Sequence, residues 1–377
     1  MRVTTFDAPA NVQNCGILPR PENVADERPS HQQQCGANRI ASQEAIPPSV
    51  LSAHEQRVAY HLARPEIPTP GPSRPGGEIL SLWRGLSWHT PTVENACNID
   101  SFLTYVLFRS TEQPDFAERY FLIPRNVAEG ALRLAIREYS DRRSKSSDAA
   151  RMTMNSKIKT TWAVANFWEY REQLDKTQKM DVIGGERGNI AFPLQDSSVL
   201  LRTTVCQCQE EGGQNELFTE NLQSLNTFWT AGEIRSLVQS GEVKNERVCK
   251  VCKSARAFRS LYVPDTTWYL HFGLDVSERH LNQFPVEDIP ETLTFNELSR
   301  PESRATFELG YVSLTNRLPQ GASRNMVTHQ TSLMRFGNQW WHYNDMERDG
   351  RLLLVANPDD FIKKFGLSIT AANYFRK

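Results

Sequence analysis

Glu94-Asn95-Ala96-Cys97-Asn98-Ile99-Asp100-Ser101-Phe102-Leu103-Thr104 is the stretch on which the reading of this chain turns. Apolar residues fall at Ile99, Phe102, Leu103, Val106 and Leu107. That is the i, i+3, i+4, i+7, i+8 stripe of a helix packed against a core, and it predicts a helix over Asp100–Arg109. Cys97 stands just ahead of it. The unpaired N–H groups of a helix start, together with the helix dipole, favour a thiolate, and the thiolate is the reactive form of cysteine. Asn95 and the turn amides beside Cys97 are candidate donors to a developing oxyanion. The same letters also suit a small buried hydrophobe at a helix start.

A cysteine nucleophile needs a base, usually His, and the His needs a group that orients it. The chain has 8 histidines. His31, His54 and His61 lie in a proline-rich region, His271 in a strand pattern and His280 in a charged stretch. His89 is close to Cys97 in sequence, on a Trp-His-Thr-Pro turn, and stays a second candidate. His329 opens His329-Gln330-Thr331-Ser332-Leu333-Met334-Arg335-Phe336, followed by Gly337-Asn338 and then Gln339-Trp340-Trp341-His342-Tyr343-Asn344-Asp345. This predicts a hairpin with a tight turn that returns Asn344 or Asp345 alongside His329. Such a neighbour would fix the imidazole tautomer. A hairpin carrying a surface His has the same pattern.

The chain has 377 residues with 43 basic and 44 acidic side chains, a net charge of −1. That balance offers no electrostatic case for nucleic acid or an acidic membrane. No run approaches ~18 consecutive apolar residues, so no membrane-spanning helix is expected. The opening MRVTTFDAPANVQ lacks the apolar segment of a secretory signal. An intracellular protein of cytoplasm or nucleus is expected. Of the 7 cysteines, Cys206 and Cys208 form one close pair and Cys249 and Cys252 another. Four thiolates in two tight pairs suit a structural Zn2+ site with no open position. A redox pair and unmetallated thiols are the other readings. The insert between the pairs includes Leu222–Ser240, anchored by Phe228, Trp229, Ile234 and Leu237.

Residues 1–77 hold 11 of the 21 prolines and almost no apolar periodicity. They read as a disordered tail, with a short helix around Ser49–Leu62. From 78 to 377 the chain reads as globular. Helices are expected over Asn126–Ser140 and Lys159–Lys176. Strands are expected within Ser197–Cys208, Ser260–Asp275, Ala305–Leu318, Val327–Asp345 and Leu352–Ala356. Helices first and strands later predict an α+β domain.

The order is Cys97, a cysteine quartet, His329, then Asn344-Asp345. With these local sequences it resembles the ubiquitin-specific protease family of papain-like cysteine peptidases, over roughly Leu80 to Lys377. The family's cysteine box is of the type Gly-Asn-Thr-Cys-x-x-Asn-Ser-x-Leu-Gln. Here Asn95, Cys97, Ser101 and Leu103 match it. Asp100 stands where Asn is usual, which is more like the Cys-x-Leu-Asp box of the SUMO-directed branch. Trp268-Tyr269-Leu270-His271-Phe272-Gly273-Leu274 is similar to the family's strand after the second Cys pair. Tyr311, His329 and Trp340-Trp341-His342-Tyr343-Asn344-Asp345 are similar to its last box.

The resemblance implies a helical thumb carrying Cys97 and a β palm carrying His329 and Asn344. It also implies zinc-ribbon fingers around 200–255 held by Cys206, Cys208, Cys249 and Cys252. Asn344 would be the third triad member and Asp345 an auxiliary acid. The implied activity is removal of ubiquitin or a ubiquitin-like modifier, SUMO included, from protein. The sequence departs from the pattern in three places. Thr92 falls where the family has a longer oxyanion donor, Thr328 replaces the Gly before the His, and Gln330-Thr331-Ser332 replaces the usual channel residues. These departures suit an alternative, an impaired homologue that binds the modifier without cleaving it.

Overall fold

The computed structural model describes residues 80–87, 90, 92–142, 147–205, 217–224, 228–239, 257–274, 285–316 and 329–377. The proposed tail, His89, His280 and all four cysteines of the expected zinc site lie outside these residues.

A short strand, β1 (Leu80–Arg84), and a two-residue strand, β2 (Val93–Glu94), lead into α1 (Cys97–Glu112). Then follow α2 (Pro114–Phe121), α3 (Val127–Arg142), α4 (Asp148–Asn166) and α5 (Trp168–Thr177). α1 is buried on its apolar stripe and on its polar side alike: Asn98, Asp100, Ser101 and Thr104 are as enclosed as Ile99 and Phe102. A helix covered all round must satisfy every polar side chain internally. That requirement generates the networks described below.

The single helix expected over Lys159–Lys176 is two. Phe167 adopts an extended conformation (φ −139°, ψ 113°) between α4 and α5. The Asn166 side chain donates to the Trp162 carbonyl at 2.8 Å, which caps α4 from within, and Phe167 turns out to pack on Tyr170. α4 also starts earlier than its apolar pattern, where Ser147 accepts from the Ala150 amide.

After β3 (Met180–Asp181), which pairs in parallel with β2, a π-helical turn spans Arg187–Ala191. The strands follow: β4 (Leu201–Val205), β5 (Leu217–Asn221), β6 (Ala257–Val263), β7 (Tyr269–Gly273), β8 (Thr292–Glu297), β9 (Arg304–Asn316), β10 (Gln330–Phe336), β11 (Gln339–Tyr343), β12 (Arg351–Val355) and β13 (Leu367–Arg376). Two helices interrupt them, α6 (Ala231–Gln239) and α7 (Pro358–Phe365). Among the described residues, eleven strands form one sheet in the order β1-β12-β11-β10-β9-β8-β6-β4-β5, with β13 pairing with both β7 and β9. Helices precede most of the strands and most neighbours are antiparallel, so the fold is α+β.

β9 is the hub. Its first half pairs with β8, its second half with β10, and β13 runs along its other edge. β13 was not expected from the sequence. Lying between β7 and β9 it is buried on both faces, so it has no alternating pattern. The helices close over one part of the sheet through an aromatic core of Phe102, Trp162, Trp268, Tyr269, Tyr311, Tyr343 and Phe375. A second, mainly aliphatic core gathers Trp229, Ile234 and Leu237 with the inner residues of β7, β8 and β9. Phe228, read as a fourth anchor of that segment, is exposed.

Candidate active site

α1 begins on Cys97 itself, with no side-chain cap at Ala96. Asn95, the residue before that, has φ +58°, the left-handed region that Asn tolerates better than most residues. This kink turns the chain from β2 into the helix. The Asn95 side-chain nitrogen donates to Asp181 Oδ1 at 2.6 Å, tying the kink to β3. The Asn98 side chain bridges the next layer: its Oδ1 accepts from the Ile99 amide, and its nitrogen donates to the Gly184 carbonyl. Cys97 is buried beneath this arrangement.

Two of the expected oxyanion groups are therefore engaged in holding the turn. Asn95 has one amide hydrogen committed to Asp181. The Thr92 hydroxyl bonds Ser156 Oγ and, at 3.3 Å, Thr160 Oγ1 on α4.

The hairpin of β10 and β11 pairs Phe336 with Gln339 across the expected turn, and Gly337 supplies its φ of +59°. In that register Ser332 faces Tyr343, so Asn344 and Asp345 leave β11 beside the entry to β10. His329 sits there, 1 % exposed. Its Nε2 lies 2.7 Å from Asn344 Oδ1 and 3.4 Å from Asp345 Oδ1. Asn344 Oδ1 also accepts the Met346 amide at 3.1 Å. A backbone N–H can only donate, so the atom it meets is the carboxamide oxygen. Nε2 of His329 must then carry the proton, and Nδ1 is left as the basic nitrogen.

The hairpin end meets α1 through Tyr343, which shares a core with Ile99, Phe102 and Val106. The Tyr343 hydroxyl donates to the Leu86 carbonyl at 2.6 Å. Burial pushes its pKa well above the ordinary range, and the nearby Asp100, Asp345 and Cys97 push it further. Tyr343 thus marks the point where the start of α1 and the end of β11 converge. Burial raises the pKa of the Asp100 carboxyl, one helical turn past Cys97, against the lowering effect of Lys159, and the Asp345 charge adds to the rise. Lys159 of α4 donates to Asp100 Oδ2 at 2.6 Å and to the Ser87 carbonyl at 2.7 Å.

Lys159 was missed in the sequence although a signal was present. It falls on the buried stripe of α4, between Asn155 and Trp162 at helical spacing. A charged residue on such a stripe needs a buried partner. Glu186 gave no such signal. Its carboxylate accepts from Tyr311 at 2.6 Å, Gln330 at 3.0 Å, Asn373 at 3.1 Å and Ser313. Asn373 Oδ1 in turn takes the Tyr269 hydroxyl at 2.8 Å and faces His271 Nδ1 at 2.9 Å. This network anchors the π-helical turn to β9, β10 and β13, and it holds Gln330 directly after His329. Burial raises the pKa of Tyr311 and Tyr269, with the Glu186 charge adding to it.

Among the described residues no group of three or more His, Cys, Asp or Glu is arranged to hold a metal. No described helix is long and apolar enough to cross a membrane. No family model matches the chain, and no curated protein matches it.

Proposed function

We propose that this chain is a papain-like cysteine isopeptidase of the ubiquitin-specific-protease type, acting on ubiquitin or a ubiquitin-like modifier such as SUMO. The observation that carries the reading is the His329–Asn344 pair. It is buried, its tautomer is set by the Met346 amide, and the strand that follows His329 packs against the helix that opens on Cys97. A thiol at a helix start, a neutral imidazole with its basic nitrogen defined, and an amide acceptor that orients it are the parts acyl transfer to sulfur requires.

In this reading His329 Nδ1 takes the Cys97 proton, and the thiolate adds to the carbonyl carbon of a C-terminal glycine joined to a lysine amine. The C–N bond breaks, the amine departs with the proton from His329, and water then hydrolyses the thioester. Asp345 stabilises the imidazolium that forms in between.

Fingers pinned by zinc belong to the same proposal. β4 ends at Val205, one residue before Cys206, and β6 begins at Ala257, five residues after Cys252. Val205 and Ala257 are paired across the sheet, so both cysteine pairs adjoin one end of it in sequence. The charge balance still offers no case for a nucleic-acid partner.

One observation favours a second reading, a binding module without turnover. The Thr92 hydroxyl and one Asn95 hydrogen, two groups an oxyanion would use, are bonded elsewhere. Ubiquitin and SUMO carrying a reactive C-terminal electrophile separate the two. The isopeptidase reading expects covalent capture by one of them that Cys97→Ala abolishes. Folded protein that binds a modifier and captures neither probe would establish the second reading instead.

A further inference from the structure

Residues 181–189 run from β3 into the π-helical turn and reach both halves of the proposed site. At the cysteine end, Asp181 Oδ1 accepts from the Asn95 side chain at 2.6 Å, and the Gly184 carbonyl accepts from that of Asn98 at 2.8 Å. The Val182 amide donates to the Glu94 carbonyl at 3.1 Å. Asn95 and Asn98 stand on either side of Cys97. At the histidine end, Glu186 Oε2 accepts from the Gln330 side chain at 3.0 Å, and Gln330 directly follows His329. Tyr311, Ser313 and Asn373 fix the same carboxylate to β9 and β13. Asn189 stiffens the stretch between. Its amide donates to the Gly185 carbonyl at 3.0 Å, and its side chain donates to the Val182 carbonyl at 3.0 Å.

Two other ties between α1 and the hairpin lie farther along. Phe336 packs on Tyr105 and Phe108, and Leu86 joins Thr104 to Tyr343. The α1 residues in these contacts are about two turns or more past Cys97, and Phe336 is at the opposite end of β10 from His329. Residues 181–189 act at the near ends instead. We propose that this segment is a bridge that fixes the separation of Cys97 from His329, with Asp181 and Glu186 as positioning residues at its two ends. Asp181 acts through Asn95 on the start of α1, and Glu186 acts through Gln330 on the start of β10. A misplacement of ~1 Å between reacting groups can cost ~10²-fold in rate, so the separation is worth fixing at both ends. The inference rests on the proposed active site, but its test needs no modifier.

The test is the rate at which iodoacetamide alkylates Cys97 in the full chain, followed across pH by mass spectrometry of the Cys97 peptide. A thiol paired with an imidazolium reacts at lower pH than a lone thiol, and His329→Gln supplies the lone-thiol profile. Asp181 is exposed and Gln330 half-buried, so Asp181→Ala and Gln330→Met each cut one end of the bridge at little cost to the core. Each is expected to lower the rate at about pH 6 by roughly tenfold and to leave it unchanged at about pH 10, where the thiol ionises without help. Asp181→Asn keeps an oxygen acceptor for Asn95 and is expected to restore the wild-type rate. The double variant Asp181→Ala, Gln330→Met is expected to lose no more than the larger single loss, because the two bonds lie in series. Independent sites would multiply their losses to roughly a hundredfold.

Single variants with the wild-type profile, or a double variant whose losses multiply, overturn the proposal. A purely structural role would lower the melting temperature without moving the profile. If Gln330→Met does not fold, Asp181→Ala and Asp181→Asn decide alone, and equal rates for the two overturn the bridge. Coinciding wild-type and His329→Gln profiles would remove the Cys97–His329 pair itself and the bridge with it. Failure of the isopeptidase reading alone shows differently, as absence of capture by the ubiquitin and SUMO probes with the alkylation profiles as expected.

Discussion

A single backbone amide decides the chemistry available to His329. The Met346 N–H identifies the Asn344 oxygen, that oxygen takes the Nε2 proton, and Nδ1 is the nitrogen that could serve as the base in the proposed reaction. Asn344→Ala removes the acceptor and lets the ring choose either tautomer. It is expected to slow probe capture at Cys97 by roughly 10²-fold, as loss of a positioned acid–base group does. The melting temperature should change little beside that loss. Capture at the wild-type rate would mean that Asp345 alone orients the ring. Asn95 at φ +58° and its bond to Asp181 place Cys97 at the first helical position. The bond from Asn95 to Asp181 is not visible in the cysteine box read as letters, because its partner is 86 residues away.

At the scale of elements, β9 and α1 fit together because of one missing side chain. A Cβ on Gly310 would stand 2.5 Å from the Phe375 ring and 2.6 Å from the Tyr105 ring. Gly310→Ala is therefore expected to cost ~1–3 kcal/mol by overpacking, measured by urea unfolding. An unchanged midpoint would show that the rings shift freely. The short α7 depends on its ends. Asn357 accepts from the amides of Asp359 and Asp360 at 3.0 and 3.1 Å, and Gly366 closes the helix at φ +59°. Asn357→Ala should cost about 1 kcal/mol in the same measurement. Neither α7 nor β13 was legible beforehand. One is eight residues long, and the other is buried on both faces, so each lacks the periodicity on which such readings depend.

For the whole molecule, stability should fall on both sides of neutrality for different reasons. Burial pushes Glu129 up, but its bonds from Arg125 and Ser197 outweigh this and hold its pKa below the ordinary value. Asp349 is held down by its bond to Arg151 against a smaller desolvation effect. Groups with depressed pKa values bind fewer protons folded than unfolded. Their stabilisation is present above the ordinary carboxylate range and is lost as pH falls through it.

Asp100 has the opposite sign. Its pKa is raised, so the folded chain keeps a proton that the unfolded chain releases. Stability therefore declines as pH rises from the ordinary carboxylate range toward the folded value. The buried tyrosines Tyr269, Tyr311, Tyr343 and Tyr374 add the same sign, but only above the usual tyrosine range. Thermal unfolding across pH should show a flatter profile for Asp100→Asn between those two ranges. A profile parallel to wild type there would exclude the retained proton. Zinc belongs to this scale too. About one zinc per chain is expected by elemental analysis, falling on Cys249→Ser, and a metal-free folded protein would remove the finger proposal.

The letters alone determined the helix after Cys97, the Gly337-Asn338 hairpin, the return of Asn344 and Asp345 beside His329, and the α+β order. Each rests on short-range geometry: helical spacing, strand alternation, a turn residue and a register counted from it. The tertiary structure alone decided the break at Phe167, the junction of β13 with β9, the Glu186 network and the partner of Asp100. Lys159 is 59 residues from Asp100 and the furthest donor to Glu186 is 187 residues away. A buried charge states that it needs a partner, but only the folded chain supplies one. Asp100 enters as one more position in a helix start and leaves as the link between α4 and the proposed active site.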